Sequence, residues 1–193
     1  TGKPIPFLTV RVQMWVRELT GMVATVSKTP HLIAGADYNA DQMPPALPLV
    51  TCRNCNVTAW GAVISQGKVS LNASLFYDKW FGGKPEAGLL YPIAEKEFKE
   101  RRRDIEKELF FFNLREKRLE WVNADKPETE IFAACCPDEY GNETRILVRV
   151  PDLTQEGRNE NGRYVRLSTR CPWCGQENSM RIFGARSTTL SSA

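Results

Sequence analysis

Apolar residues recur at steps of three and four positions from Leu8 to Ser27, and Trp15 lies within this series. This spacing places them on one side of an α-helix, with polar residues on the other side. Pro30 follows the series, and proline marks a helix boundary. The pattern therefore predicts an amphipathic helix within residues 1–30 that packs on the rest of the chain or on an adjoining domain.

The rest of the chain alternates short apolar runs with turn signals. Residues 58–63 and 68–71 flank a Ser-Gln-Gly turn and predict a hairpin, and the charged stretch 93–107 predicts a helix. Two polar stretches that contain glycine, 35–45 and 154–162, predict a surface loop and a flexible crossing. Four further runs predict the strands of an antiparallel sheet: 109–114, 118–122, 131–136 and 145–150.

Four of the six cysteines form two Cys-x-x-Cys pairs, Cys52 with Cys55 and Cys171 with Cys174. Each pair follows an extended stretch and precedes a polar turn, the arrangement in which tight backbone turns direct two sulfurs to one metal ion. Gly175 follows the second pair and permits the left-handed conformation at the end of such a turn. Together the four thiolates predict a tetrahedral, structural Zn²⁺ site.

The two pairs are far apart in the sequence, whereas a compact zinc ribbon separates them by about 15 to 20 residues. The expected fold is therefore α+β: a zinc ribbon of residues 31–71 and 162–184, split by an inserted antiparallel sheet-plus-helix subdomain at 72–161. Closing so long a loop costs roughly 4 kcal/mol, less than the about 10 to 16 kcal/mol that structural zinc contributes. Two unrelated buried pairs, a disulfide in each pair and a redox dithiol are the alternatives. Because nothing resembles a signal peptide, we expect reducing conditions, which favour zinc.

The other two cysteines, Cys135 and Cys136, are adjacent in the predicted strand at 131–136. Neighbours on a strand point to opposite faces, so they cannot easily share one ion. We expect two buried apolar residues, with a substitute metal ligand as the alternative. The single histidine, His31, lies in a Thr-Pro-His-Leu connection and is expected to be exposed or to cap a turn.

Composition indicates an ordinary globular chain, because 42% of its 193 residues are hydrophobic and 25% are charged. No apolar run approaches the roughly 20 residues that cross a bilayer, and we expect a cytoplasmic protein. A net charge of +3 is too small to indicate nucleic acid by itself, although arginines make the C-terminal third basic. The Phe-Gly-Gly-Lys-Pro stretch at 81–85 lacks the spacing of a phosphate-binding loop and predicts a turn.

Three parts of the sequence resemble a known family: Val-Arg-Val-Gln-Met-Trp-Val-Arg-Glu-Leu at 10–19, the cysteine pairs with Trp60-Gly61 after the first, and residues 183–192. They are similar to the zinc-binding region between the two RecA-like motor domains of large bacterial superfamily 2 DEAD/DEAH-box helicases. In that family a stretch like 184–192 leads into the second motor domain, so 185–193 are expected to begin that connection. The chain starts without methionine and stops within this stretch, and we expect it to be a piece of a longer protein.

The resemblance implies a non-catalytic accessory module of an ATP-dependent DNA helicase or translocase, with ATP and Mg²⁺ bound only by the parent chain. The implied partners are the flanking motor domains and single-stranded or forked DNA, with no membrane. By position, the metal role carries over to the four cysteines of the two pairs. No catalytic residue carries over.

Basic residues near the second pair are the candidates for DNA contact. Arg166, Arg170 and Arg181 could bind phosphates, and Trp173 could stack on an unpaired base. The ordinary alternative is a solvated strand face with a tryptophan that covers the metal site. A protein-interaction scaffold with a purely structural zinc site is the alternative function, and catalytic zinc is disfavoured because four thiolates leave no position for water.

Overall fold

A computed structural model of the chain describes residues 21–137, 144–159 and 162–183. Within these ranges the chain is mixed α/β, with more strands than helices. The strands are β1 (Met22–Thr25), β2 (Leu32–Ala34), β3 (Ala46–Cys52), β4 (Thr58–Ser65), β5 (Lys68–Ser70), β6 (Ala87–Pro92), β7 (Leu109–Asn113), β8 (Arg118–Trp121), β9 (Arg145–Arg149), β10 (Thr154–Asn159), β11 (Gly162–Leu167) and β12 (Met180–Ile182). The helices are α1 (Ala73–Phe81), α2 (Glu95–Ile105), a 3₁₀ turn (Glu106–Glu108) and α3 (Glu128–Ala133).

Six antiparallel strands close into a barrel. The pairs run from β4 to β5, β8, β7, β9 and β6, and β6 pairs again with β4. Closure satisfies the backbone N–H and C=O groups that an open sheet leaves at its edges. The barrel interior is filled by apolar side chains from the ring of strands. Those that are almost fully buried are Trp60, Ala62, Val69, Leu90, Phe112, Ile146 and Val148.

Two groups of helices cover the outside of the barrel. Helix α1 begins after Asn72, whose side chain accepts a hydrogen bond from the Leu75 N–H at 3.0 Å, and it buries Phe76 and Trp80. Gly61 on β4 makes this contact possible, because a Cβ there would lie 2.3 Å from the Phe76 ring. On another side, α2 and α3 pack on the outer face of β7 and β9 through Phe98 and Ile131, with other apolar side chains.

An open extension and a two-stranded arm complete the fold. Strand β3 pairs with β4 and also with β1 and β12, and β2 pairs with β1. The Met22 N–H donates to the Phe183 carbonyl at 3.4 Å, so the described chain enters and leaves at neighbouring points. Strands β10 and β11 pair only with each other among the described residues.

Much of the local prediction is confirmed. The hairpin of 58–63 and 68–71 is β4 and β5, the helix of 93–107 is α2, and three of the four predicted sheet strands are β7, β8 and β9. The fourth is wrong, because 131–136 begins within α3 and continues as a turn. Pro127 and the acidic residues Glu128 and Glu130 supply a helix start that the apolar run concealed.

Two larger expectations are corrected. The predicted ribbon with an independent insert is a closed barrel instead, because β4 and β5 after the first cysteine pair bond to β6 and β8 of the expected insert. The expected crossing at 154–162 contains strand β10. The predicted N-terminal helix and the connection at 185–193 lie largely outside the described residues, but the helix does not reach Ser27, since Met22–Thr25 is a strand. No helix in the described ranges is both long enough and apolar enough to span a bilayer.

Candidate metal centre

The first cysteine pair lies in the turn between β3 and β4. Cys52 is the last residue of β3, and its sulfur accepts a hydrogen bond from the Asn54 N–H at 3.4 Å. The Asn56 N–H bonds to the Cys52 carbonyl at 3.0 Å, and Asn56 takes a positive φ of 59° that returns the chain into β4. As a result the Cys52 sulfur is buried beneath the turn, while Cys55 lies at its exposed end.

The second pair repeats this turn. The Trp173 N–H donates to the Cys171 sulfur at 3.4 Å, and the Gly175 N–H donates to the Cys171 carbonyl at 2.9 Å. Gly175 has a φ of +71°, as the sequence predicts. Again the first sulfur is buried and the second, that of Cys174, is exposed.

Strand β12 brings the two turns together. It pairs antiparallel with β3, and Met180 lies opposite Cys52. The sulfurs of Cys52 and Cys174 are then 3.7 Å apart, as are those of Cys55 and Cys171, and all four lie within 4.8 Å of one another. These sulfurs are therefore close enough to hold one metal ion. All four are free thiols, so the structure has no disulfide among them, either between the turns or within a pair.

Electrostatics in the cluster favour a bound cation. Burial raises the pKa of Cys171 to about 12, and partial desolvation of the Cys55 sulfur, although Cys55 is exposed as a residue, raises its pKa too. Burial also acts on Cys52, but its hydrogen bonds with the Ser179 hydroxyl and with backbone N–H groups outweigh it and lower the pKa of Cys52 to about 6. Two thiolates at this separation repel by roughly 4 kcal/mol at an effective dielectric constant of about 20. A bound cation would relieve the repulsion among four thiolates held this close together.

Trp173 is fixed in the second turn by three contacts. Its Nε1 donates to Glu97 Oε1 of α2 at 2.8 Å, and its ring centroid lies 4.5 Å from that of Tyr91. The guanidinium of Arg149 lies over the ring at 4.4 Å, and Arg149 is itself ion-paired with Glu108. The tryptophan therefore packs against the barrel and against the buried cluster that contains Cys52 and Cys171.

The other predicted site residues are distributed around this centre. Arg166, Arg170 and Arg181 are all exposed, on β11, before the second turn and on β12 respectively. Cys135 is buried and Cys136 is exposed, so the expectation of two buried residues holds only for the first. Neither belongs to the sulfur cluster. His31 is exposed, and its N–H donates to the Thr25 hydroxyl at 2.8 Å, as expected for a residue in a connection.

Several residues that shape the centre are missed by sequence reasoning. Ser179 contacts the Cys52 sulfur at 3.4 Å, and Tyr91, Glu97 and Arg149 hold Trp173. Tyr91, Glu97 and Arg149 come from β6, α2 and β9, and no local spacing connects these three to the cysteines. Ser179 lies in the polar run that follows Gly175. Only the polar run after Gly175 offered a signal, since such turns supply hydrogen bonds to sulfur.

The chain matches no protein-family model, no curated protein and no solved structure. Its function is therefore inferred from its own residues.

Proposed function

We propose that the chain is a zinc-binding module whose Cys52, Cys55, Cys171 and Cys174 hold one structural Zn²⁺ ion. Four sulfurs about 2.3 Å from a central ion at tetrahedral angles lie about 3.8 Å apart. The observed separation of 3.7 Å in both pairs between the turns is the single observation that carries the proposal.

The donor set argues for zinc and against catalysis at the metal. Four thiolates in tetrahedral arrangement suit Zn²⁺, whereas Mg²⁺ and Ca²⁺ prefer oxygen ligands. A catalytic zinc needs an open position for water or substrate, and four protein ligands fill the coordination sphere. The ion would tether segments 116 positions apart, from Cys55 to Cys171. Closing that loop costs roughly 4 kcal/mol, which structural zinc offsets several times over.

Elemental analysis of chain purified without chelators tests the site. We expect one zinc per chain, and loss of zinc in both Cys52→Ser and Cys171→Ser. Cys136→Ser is the matched control, because it removes an exposed thiol outside the cluster and should leave the zinc content unchanged. A variant of one turn that keeps full zinc while a variant of the other loses it would refute a shared ion.

At the level of the parent protein, we propose a non-catalytic accessory module of an ATP-dependent DNA helicase or translocase that positions nucleic acid for the motor. Two observations support this. The bond between the Met22 N–H and the Phe183 carbonyl brings the two ends of the described chain together, which suits a module placed between two flanking domains. Exposed arginines surround the second turn, where a phosphate backbone could approach. The flanking motor domains and forked DNA remain predicted partners.

Fluorescence polarisation with single-stranded and forked DNA tests the nucleic-acid part. Binding that weakens steeply with salt is expected, and its absence at low salt would remove DNA contact from the proposal. The scaffold alternative depends on exposed apolar surface. The aromatic strands β7 and β8 are the candidates for that surface. Phe112 is buried, Phe110 and Phe111 are partly buried, and Trp121 is 57% exposed, while Phe81 at the end of α1 is exposed too.

A further inference from the structure

The arm formed by β10 and β11 has two different faces. Its register places Gly157 opposite Tyr164 and Gln155 opposite Arg166. Since side chains alternate along a strand, these four positions share one face. Arg158 comes from the next position of β10 and therefore lies on the other face.

Tyr164 lies against the strand beside it. A Cβ at Gly157 would sit within 2.9 Å of three atoms of the tyrosine ring, so glycine leaves the space that the ring occupies. Even so, Tyr164 keeps 36% of its surface exposed. Two residues further along β11, about 7 Å away, the same face carries Arg166.

The face of the arm continues into a polar cleft of about 210 Å³ at the base of the arm. Its volume is several times the roughly 30 Å³ of a water molecule, enough for a hydrated phosphate group. A neighbouring cleft of about 340 Å³ shares three of its residues and carries two further carboxylates, those of Glu108 and Asp152, so the proposed phosphate contacts are confined to the smaller cleft. The lining of the smaller cleft includes Gln155, Arg166, Arg170 and Glu177.

Two guanidinium groups dominate this cleft. Within the described ranges, Arg166 forms no ion pair with any carboxylate. Arg170 is held by a bond from its Nε to the Gly175 carbonyl at 2.8 Å, and a guanidinium has five N–H donors in all. One carboxylate, that of Glu177, also lines the cleft and opposes an anion there.

We propose that this face of the arm and the adjoining cleft bind single-stranded nucleic acid, with Tyr164 stacking on an unpaired base and Arg166 and Arg170 contacting phosphates. An exposed aromatic ring beside a cationic groove is the combination that binds unpaired strands with little sequence preference. The assignment rests on the proposed nucleic-acid role and gives it a site. Tyr164 takes the place of Trp173 as the stacking residue. The Trp173 ring already packs against Tyr91 and Arg149, and its N–H is bonded to Glu97.

Fluorescence polarisation of the zinc-loaded chain with labelled oligothymidylate and oligouridylate of about 12 nucleotides tests the site. Tyr164→Ala is expected to weaken binding by about 5- to 150-fold, because loss of one stacked base costs about 1 to 3 kcal/mol. Tyr164→Phe keeps the ring and should bind like the unmodified chain. Arg166→Gln should weaken binding and reduce the slope of log K against log salt by about 0.7.

Two further variants make the test specific to the face. Arg158→Gln removes the same charge from the opposite face of the arm and should leave the affinity nearly unchanged. Glu177→Gln removes the opposing carboxylate and should tighten binding. Zinc content and thermal unfolding of each variant establish that it is folded.

The outcomes separate this proposal from the broader one. The assigned site is overturned if neither Tyr164→Ala nor Arg166→Gln changes the affinity, or if Arg158→Gln lowers it as much as they do. Nucleic-acid binding elsewhere on the chain would stand in either case. Absence of binding by the unmodified chain at low salt overturns both. A chain that holds one zinc but binds only duplex DNA overturns the preference for single strands.

Discussion

Trp173 occupies a position that favours packing over recognition. The residue lies in a cysteine turn, and the sequence predicts that its side chain could stack on an unpaired base. In the fold its indole N–H is directed to Glu97 at 2.8 Å and its ring is covered by Tyr91 and Arg149. The turn is thereby attached to α2 and to the barrel, so the indole orients Cys171 and Cys174 toward their partners.

Replacement of this indole should destabilise the fold. Trp173→Phe removes a hydrogen bond to a carboxylate and weakens the contact with Arg149, and we expect a loss of about 1 to 3 kcal/mol in the free energy of unfolding. Urea unfolding followed by far-UV circular dichroism measures it. Trp121→Phe is the matched control, because that indole is 57% exposed and its loss should cost less. Equal effects of the two variants would show that Trp173 has no special role.

Zinc affinity should fall as the pH falls. Burial holds the pKa of Cys171 near 12, so in the metal-free chain this thiol is protonated at neutral pH and zinc must displace the proton. A lower pH supplies more competing protons to all four sulfurs, which weakens the complex, and a higher pH strengthens it. Competition with a chromogenic chelator at about pH 6 and about pH 8 measures the difference. An affinity independent of pH would mean that thiolates are not the ligands.

At the scale of elements, the sequence predicts strands and helices well where one face is buried. Strands β7 and β9 are rich in apolar residues, because the barrel core covers one face of each strand and helices α2 and α3 cover the other. Strand β10 has the sequence Thr-Gln-Glu-Gly-Arg-Asn, and almost all of it is exposed, so no alternation marks it. The run Ile-Phe-Ala-Ala-Cys-Cys at 131–136 gave the opposite error, a predicted strand where the chain forms the end of a helix. A short apolar run fits a strand or a helix equally well.

The contact between α1 and β4 should be sensitive to a single methyl group. Gly61→Ala would place a Cβ 2.3 Å from the Phe76 ring, and overpacking of this kind costs about 1 to 3 kcal/mol. Thermal unfolding of the variant measures the loss. Phe76→Leu in the same chain makes room for the methyl group, so the double variant should lose less than the sum of the two single variants. Strict additivity would indicate that the helix moves away instead of clashing.

At the scale of the whole molecule, the cysteine site was predictable and the barrel was not. Each Cys-x-x-Cys pair is a local motif, so the four candidate ligands can be identified without knowing how the chain between the pairs folds. Closure of the barrel depends on the pairing of β4 with β6 and of β5 with β8, which join strands that are not neighbours in the sequence. Apolar alternation shows that a strand has a buried face but not which partner it takes. The prediction of a subdomain inserted into a zinc ribbon was wrong for this reason.

The clusters of buried residues indicate which part of the molecule depends on the metal. Cys52 and Cys171 belong to the cluster beneath α1, whereas the cluster that fills the barrel contains none of the four ligands. Among the described strands, β12 pairs with β3 alone, over three residue pairs, and the second cysteine turn lies just before it. Loss of the ion should therefore release the segment from the second turn through β12 and leave the barrel closed.

Hydrogen exchange measured by mass spectrometry, before and after removal of zinc with a chelator, tests this division. Amides of Cys171 to Ile182 should exchange faster without metal, because the bonds of this segment to β3 are short-lived once the sulfurs repel or protonate. Amides of β7 and β9 should remain protected, since their partners lie within the barrel. The Cys52→Ser variant should reproduce the pattern with no chelator present. Uniform loss of protection across the barrel would instead make the ion a requirement for the whole fold, as in small zinc domains that unfold without metal.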